Sequence, residues 1–129
     1  MADTVRVAIV GGGRTGTPLL KAFLELPYIE VAGLADHDAT SEGARIARER
    51  GIFFTEDADV LAAKGSDIDL IIEVSGDPSV KPALKDAFIA QGNKETIIVH
   101  DLLARLILSL ATGAEELVDT YHPSDTGIG

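Results

Sequence analysis

The chain has 129 residues, with 11 Lys and Arg against 21 Asp and Glu for a formal charge of −10, 46% hydrophobic residues, and neither Cys nor Trp. That length suits one domain that buries about two thirds of its unfolded surface without disulfides or a structural metal, and it leaves nothing over for a second lobe. The charge argues against nucleic acid and anionic membrane surfaces, which bind clustered Lys and Arg, and the missing Cys excludes thiolate metal sites and a cysteine nucleophile.

In chain order, Val5–Val10 is a Val/Ile-rich strand that begins almost at the N-terminus, so no signal peptide is expected. Residues 15–26 carry Leu19, Leu20, Phe23, Leu24 and Leu26 at near-helical spacing and stop at Pro27. Pro18 disfavours helical geometry at Thr17, which predicts a late or irregular first turn. Ile29–Ala35 is a second strand, followed by a helix over 41–50 with Ser41 as N-cap and Gly51 at its C-terminus. A short strand at 52–54, a helix over 57–64, a strand over 68–74 and a helix over 78–91 ending at Gly92 come next. The last pair is a strand at 96–99 and a helix over 101–112, capped by Asp101, with Leu102, Leu103, Leu106, Ile107 and Leu110 on one stripe and Leu108 off it. The most apolar stretch, Leu102 to Ala111, is about ten residues and a membrane span needs about 20, so the chain is expected to be soluble and cytoplasmic. From residue 113 the sequence turns polar and is punctuated by Gly and Pro, which reads as a tail or linker over 113–129 after a domain at 1–112.

Strands that are nearly continuous in apolar residues belong to a sheet covered on both faces. Alternation with helices then predicts an α/β, doubly wound, five-stranded parallel sheet with right-handed crossovers and strand order 3-2-1-4-5.

Between the first strand and first helix stands Gly11-Gly12-Gly13-Arg14-Thr15-Gly16, a G-x-G-x-x-G loop. The first glycine allows the tight turn, the second lets backbone approach a pyrophosphate, and the third lets helix and strand pack closely. The helix N-terminus behind it offers free N–H groups and partial positive charge, to which Arg14 and Thr15 in the first turn add. Asp36 lies 20 residues beyond Gly16 at the end of the second strand, where a carboxylate binds ribose hydroxyls and repels a 2′-phosphate; His37 and Asp38 beside it supply no arginine, so NAD is favoured over NADP. Residues 1–35 are charge-balanced and the whole acidic excess lies in 36–129, which leaves the loop free to accept an anion.

Val5 to Asp38, with Ile68-Asp-Leu-Ile-Ile-Glu-Val-Ser-Gly-Asp-Pro78, resembles the N-terminal NAD-binding Rossmann domain of the glucose-fructose oxidoreductase and inositol dehydrogenase family, and of related aspartate and homoserine dehydrogenases. The resemblance covers about residues 4–110. It implies NAD as cofactor and places Val74, Ser75 and Gly76 beside the nicotinamide ribose. The expected cofactor residues are thus Gly11, Gly13, Arg14, Thr15, Gly16, Asp36, His37, Ser75, Gly76 and His100.

Catalysis is harder to place. Where that family carries Glu-Lys-Pro after the fifth strand, this chain reads Val99-His100-Asp101 and has no lysine. His100 is either a proton-transfer or nicotinamide-contacting group, or a strand-end packing residue. Glu73, inside an apolar strand, either points at the ligand crevice or pairs with a lysine. No His or carboxylate spacing suggests a metal. Val99–Arg105 also resembles small Rossmann-like modules that precede sensor kinase domains. The expectation is therefore a stand-alone, redox-responsive NAD(H)-binding module, with a homodimer or a signalling or enzyme partner domain covering its leftover apolar surface. The alternatives are the cofactor domain of an NAD-dependent oxidoreductase whose substrate domain lies elsewhere, and a domain for another nucleotide such as coenzyme A.

Overall fold

A computed structural model describes residues 3–124. Five parallel strands, β1 (Val5–Val10), β2 (Ile29–Ala35), β3 (Phe54–Thr55), β4 (Leu70–Glu73) and β5 (Ile97–Val99), form one sheet in the order β3-β2-β1-β4-β5. The helices are α1 (Gly16–Leu24), α2 (Glu42–Glu49), α3 (Ala58–Ala62), α4 (Val80–Gln91) and α5 (Asp101–Thr112). The expected sheet and strand order are borne out.

Successive residues of a strand face opposite sides of a sheet, and β1 shows the result. Val7 and Ile9 enter one core with Leu19, Leu20 and Phe23 of α1, Ala47 of α2, and Ala104 and Leu108 of α5. Ala8 and Val10 enter the other with Leu61 of α3 and Val80, Leu84 and Phe88 of α4. β1 lies between two strands and beneath two helical layers, so all four of these residues are buried. Its pairing with β2 shifts register between Val7 and Ala8, where Val7 faces Val31 and Ala8 faces Gly33. A Cβ on Gly33 would stand 2.7 Å from Leu61, so a glycine lets α3 approach β2 here. At the opposite end of the sheet Asp69 accepts from the backbone N–H of Arg6 at 2.8 Å and pairs with its guanidinium at 3.2 Å, tying β1 to β4.

Three local expectations are corrected. The third strand is Phe54–Thr55, because the Ile52 N–H closes the end of α2 on the Ala47 carbonyl at 2.8 Å. His100, not Asp101, is the N-cap of α5, and Asp101 is the first helical residue, 3% exposed. The leucine stripe of α5 faces outward: Leu102, Leu103, Leu106 and Leu110 are 60%, 42%, 46% and 74% exposed, while Leu108 is buried. Ala104 and Leu108 face the sheet because a small residue there admits the helix closely, and Ile107 packs at the flank.

The described part of 113–129 ends at Ser124. Its backbone returns along α5: Val118 N–H donates to Ser109 Oγ at 3.0 Å, Arg105 Nε donates to the Val118 carbonyl at 2.9 Å, and Thr120 Oγ1 donates to Asp101 Oδ2 at 2.8 Å. Those bonds satisfy Ser109 and the Oδ2 of Asp101 on the sheet side of α5, while Asp101 Oδ1 is buried with no hydrogen-bond partner among the described residues.

Candidate functional site

In a doubly wound sheet the helices leave to opposite sides where the strand order reverses, and a crevice opens at the strands' carboxyl ends. Here that point lies between β1 and β4, and a cavity of about 390 Å³ opens there. Its wall includes Gly11, Gly13 and Arg14 from the turn after β1, Asp36 and His37 from the end of β2, and Ser75 from the loop after β4.

The turn is held from three directions. Gly11 has φ +107°, and a Cβ on it would meet the backbone of Ser75 at 2.8 Å, so no other residue brings the β1 and β4 loops this close. A Cβ on Gly16 would run into the Gly11 carbonyl oxygen, which is the close helix–turn packing expected of the third glycine. Gly12 donates its N–H to Asp36 Oδ2 at 2.8 Å, and its carbonyl accepts from Thr17 Oγ1 at 2.8 Å and Gly43 N–H at 3.1 Å. Gly13 differs from these: nothing lies within 4 Å of a Cβ there, so it presents bare backbone to open space.

Behind the turn, α1 starts at Gly16 with Thr15 as an N-cap that makes no side-chain cap bond and with no acidic residue in the first turn. Pro18 is accommodated as the third helical residue, where a missing N–H costs little. The N–H groups of Gly13, Arg14 and Thr15 donate no backbone hydrogen bond among the described residues. Gly13 and Arg14 are exposed at the crevice and Thr15 is buried behind them, so two of these donors stand open at a helix N-terminus, an arrangement that suits an anion.

Asp36 does two things. Its Oδ2 holds the Gly12 N–H and its Oδ1 holds the Asp38 N–H at 2.9 Å, fixing the β2 end to the glycine loop, yet the side chain lines the crevice and a carboxylate has lone pairs to spare. Across the mouth, His37 Nε2 stands 3.9 Å from Asp77 Oδ2. The Asp77 carboxyl is held below the usual carboxylate range by hydrogen bonds from Ser79, with a smaller contribution from His37. Glu73 is 1% exposed, and its Oε1 accepts from Ser75 N–H at 2.8 Å and from Ser75 Oγ, so this buried acid shapes the loop after β4.

Of the expected site residues, Gly11, Gly13, Arg14, Asp36, His37 and Ser75 meet at the crevice. Thr15 and Gly16 are buried behind it, Gly76 lies in the adjoining loop at φ +78°, and His100, the N-cap of α5, does not line it. Among the polar and aromatic wall residues, Glu56, Tyr121 and His122 carried no motif signal, and Asp77 lay in the segment after β4 without an assigned role. The Arg14 guanidinium lies over the Tyr121 ring, 5.0 Å from its centroid, and a Cβ on Gly76 would run into the His122 imidazole. No group of three or more His, Cys, Asp or Glu suited to a metal occurs among the described residues, and no helix there is long and apolar enough to cross a membrane.

A glycine-rich βα turn opening a helix, with an acid ending the neighbouring strand of a 3-2-1-4-5 parallel sheet, defines a Rossmann-like α/β domain. Solved structures share this fold. An S. aureus homoserine dehydrogenase superposes with a TM-score of 0.62 at 14% identity, covering 88% of this chain and 31% of that one. A scyllo-inositol dehydrogenase from Lactobacillus casei with bound NAD(H) and scyllo-inositol gives 0.58 at 18% identity, covering 86% and 33%. Among curated proteins, an acetaldehyde dehydrogenase of Rhizorhabdus wittichii is 40% identical over 58 residues, 44% of this chain and 18% of its own length. No family model matches the chain. The chain therefore spans about a third of the length of these structures and under a fifth of that relative. At the level of fold, the resemblance read from the glycine loop and Asp36 holds.

Proposed function

We propose that this chain is an NAD(H)-binding domain of the oxidoreductase type. The observation that carries the reading is the Gly12–Asp36 hydrogen bond, which sets a carboxylate beside a glycine turn with N–H groups that donate no backbone hydrogen bond among the described residues, the arrangement that a ribose and a pyrophosphate would need. The groups present fit the adenosine and pyrophosphate portion of the cofactor. Gly13 and Arg14 would hold the pyrophosphate with Thr15 buried behind them, Asp36 would hold the adenosine ribose, and His37 would flank it, with Asp36 disfavouring a 2′-phosphate. Ser75 and Gly76 would lie along the nicotinamide half. When bound, the nicotinamide supplies hydride transfer. No residue is assigned to proton transfer, since His100 stands outside the crevice and β5 is followed by no lysine.

Two uses of such a domain are open. Coverage of about a third of the neighbouring dehydrogenases favours the cofactor part of a larger oxidoreductase, completed by residues or a subunit elsewhere. The missing lysine after β5 favours a cytoplasmic redox-responsive module in which NAD⁺ and NADH shift a docking surface. The exposed leucines of α5 are where a second lobe, a signalling partner or a second copy would bury apolar area in either case.

Calorimetric titration with NADH, NAD⁺, NADPH and coenzyme A tests the reading. Saturable binding of NADH with weaker NADPH is expected. Absence of binding to every nicotinamide dinucleotide overturns it, and binding of coenzyme A alone replaces it with another nucleotide class.

A further inference from the structure

The crevice has one wall that neither the glycine loop nor the strand ends build. Residues 118–122 leave the outer end of α5, run back along it, and place Tyr121 and His122 in the cavity. Both ends of this strap are fastened. At one end, Ser109 Oγ and Arg105 Nε hold the backbone of Val118; further on, Asp101 Oδ2 holds Thr120 Oγ1, which in turn accepts the His122 N–H at 3.1 Å. The anchor Asp101 sits in the first turn of the 12-residue α5, where the helix dipole favours a carboxylate, and the Arg105 guanidinium stands 3.8 Å away. The far end rests on the site itself, with Tyr121 against Arg14 and the His122 ring over Gly76.

That placement divides the crevice. With the strap in place the cavity is still open at Gly13 and Asp36, so an adenosine diphosphate group meets those two while Arg14 stays against Tyr121. The space over Gly76 is filled by an imidazole. A ligand extending past the pyrophosphate along Ser75 and Gly76 needs that same space.

We propose that the 118–122 strap selects ligands by length: closed, it admits an adenosine diphosphate and excludes a full dinucleotide, which binds only by lifting His122 off Gly76. Tyr121 releases Arg14 in the same movement, so the cation that the strap holds becomes available to the pyrophosphate. This rests on the NAD(H) reading above, and it makes the strap a specificity-determining element that competes with the nicotinamide half for one place.

The test compares ADP with NADH on the full chain. His122→Ala removes the obstructing ring and leaves the strap fastened; Thr120→Ala weakens the fastening and leaves the ring. In both variants NADH is expected to bind about fivefold more tightly or better, the scale of one net hydrogen bond or packing contact. ADP is expected to change by less than about twofold in His122→Ala, which separates clearance over Gly76 from a general change in the glycine turn. Hydrogen exchange supplies a readout free of mutation: the Val118 amide should exchange faster with NADH bound than with ADP bound. If ADP and NADH both bind and the variants leave their ratio unchanged, or weaken NADH, the strap is an ordinary wall and the proposal falls while the NAD(H) reading stands. If neither ligand binds the parent chain or the variants, both fall.

Discussion

The two sides of the crevice are made in different ways. On one side the chain turns from β1 into α1 within six residues, and nearly every constraint is local. Gly11 needs a positive φ, Gly16 has no room for a side chain, and Gly12 bonds to the end of the adjacent strand. On the other side, Ser75 is positioned by the buried Glu73, while Tyr121 and His122 arrive from the far end of the chain through bonds to Asp101, Arg105 and Ser109. The first side is rigid because its backbone has no alternative. The second is held by a handful of side-chain hydrogen bonds, each worth about 1 kcal/mol, and is built to be exchanged for something else.

Substitutions that break this contrast differ in size. The largest effect is expected for Gly16→Ala, whose methyl has no space beneath the Gly11 carbonyl: a loss of about 3 kcal/mol in urea unfolding, with nucleotide binding abolished. Gly13→Ala, three residues earlier, should leave stability within about 1 kcal/mol and weaken NADH, because its Cβ meets only open space where the pyrophosphate would come. Equal stability losses at the two positions would mean that the glycine roles are misassigned.

Next in size is the helix that carries the strap. Leu108→Ala should cost about 2–3 kcal/mol, whereas Leu110→Ala should stay within about 0.5 kcal/mol, since only the first is buried. Comparable losses at both would show that the outer face of α5 is covered in solution. Asp36→Ala should weaken NADH about tenfold, the order of a lost hydrogen bond to a charged group, and should reduce the preference for NADH over NADPH. Unchanged NADH affinity would remove the ribose assignment.

The smallest effect concerns the opposite end of the sheet. Hydrogen bonds from the backbone and guanidinium of Arg6 hold the Asp69 carboxyl below its ordinary value of 3.8. A carboxylate whose pKa is depressed in the folded state contributes stability that is fully present above the unfolded value and is lost as pH falls through the folded one. The stability gap between the parent chain and Asp69→Asn should therefore be flat near neutrality and shrink below about pH 4, while nucleotide affinity at neutral pH stays the same. Both partners are partly exposed, which keeps the effect small.

How much was legible follows the same division. Strand order, the glycine turn and Asp36 could be read because they rest on local spacing and on a short list of turn chemistries. The face of α5 could not be. A helix with leucines on one side and Ala104, Leu108 and Ser109 on another offers two candidate inner surfaces, and hydropathy favours the wrong one. Packing favours the smaller residues, because Ala104 lets the helix lie close to the sheet while the returning strap bonds Ser109 and one oxygen of Asp101. Tyr121 and His122 had no sequence signal, since polar, glycine-punctuated composition says nothing of where a segment comes to rest.

The contact between Arg14 and Tyr121 also bears on the order in which the site is assembled. These residues belong to the first turn and the last described stretch of the chain, and contacts of such separation form late because the loop between them must close first. A ribosome that has released β1 through β4 has already made the glycine turn and its bond to Asp36, but the crevice gains its Tyr121 wall only after α5 has emerged and the chain has turned back on it. On the NAD(H) reading proposed above, nucleotide meets an open turn during synthesis, before the strap is there to compete.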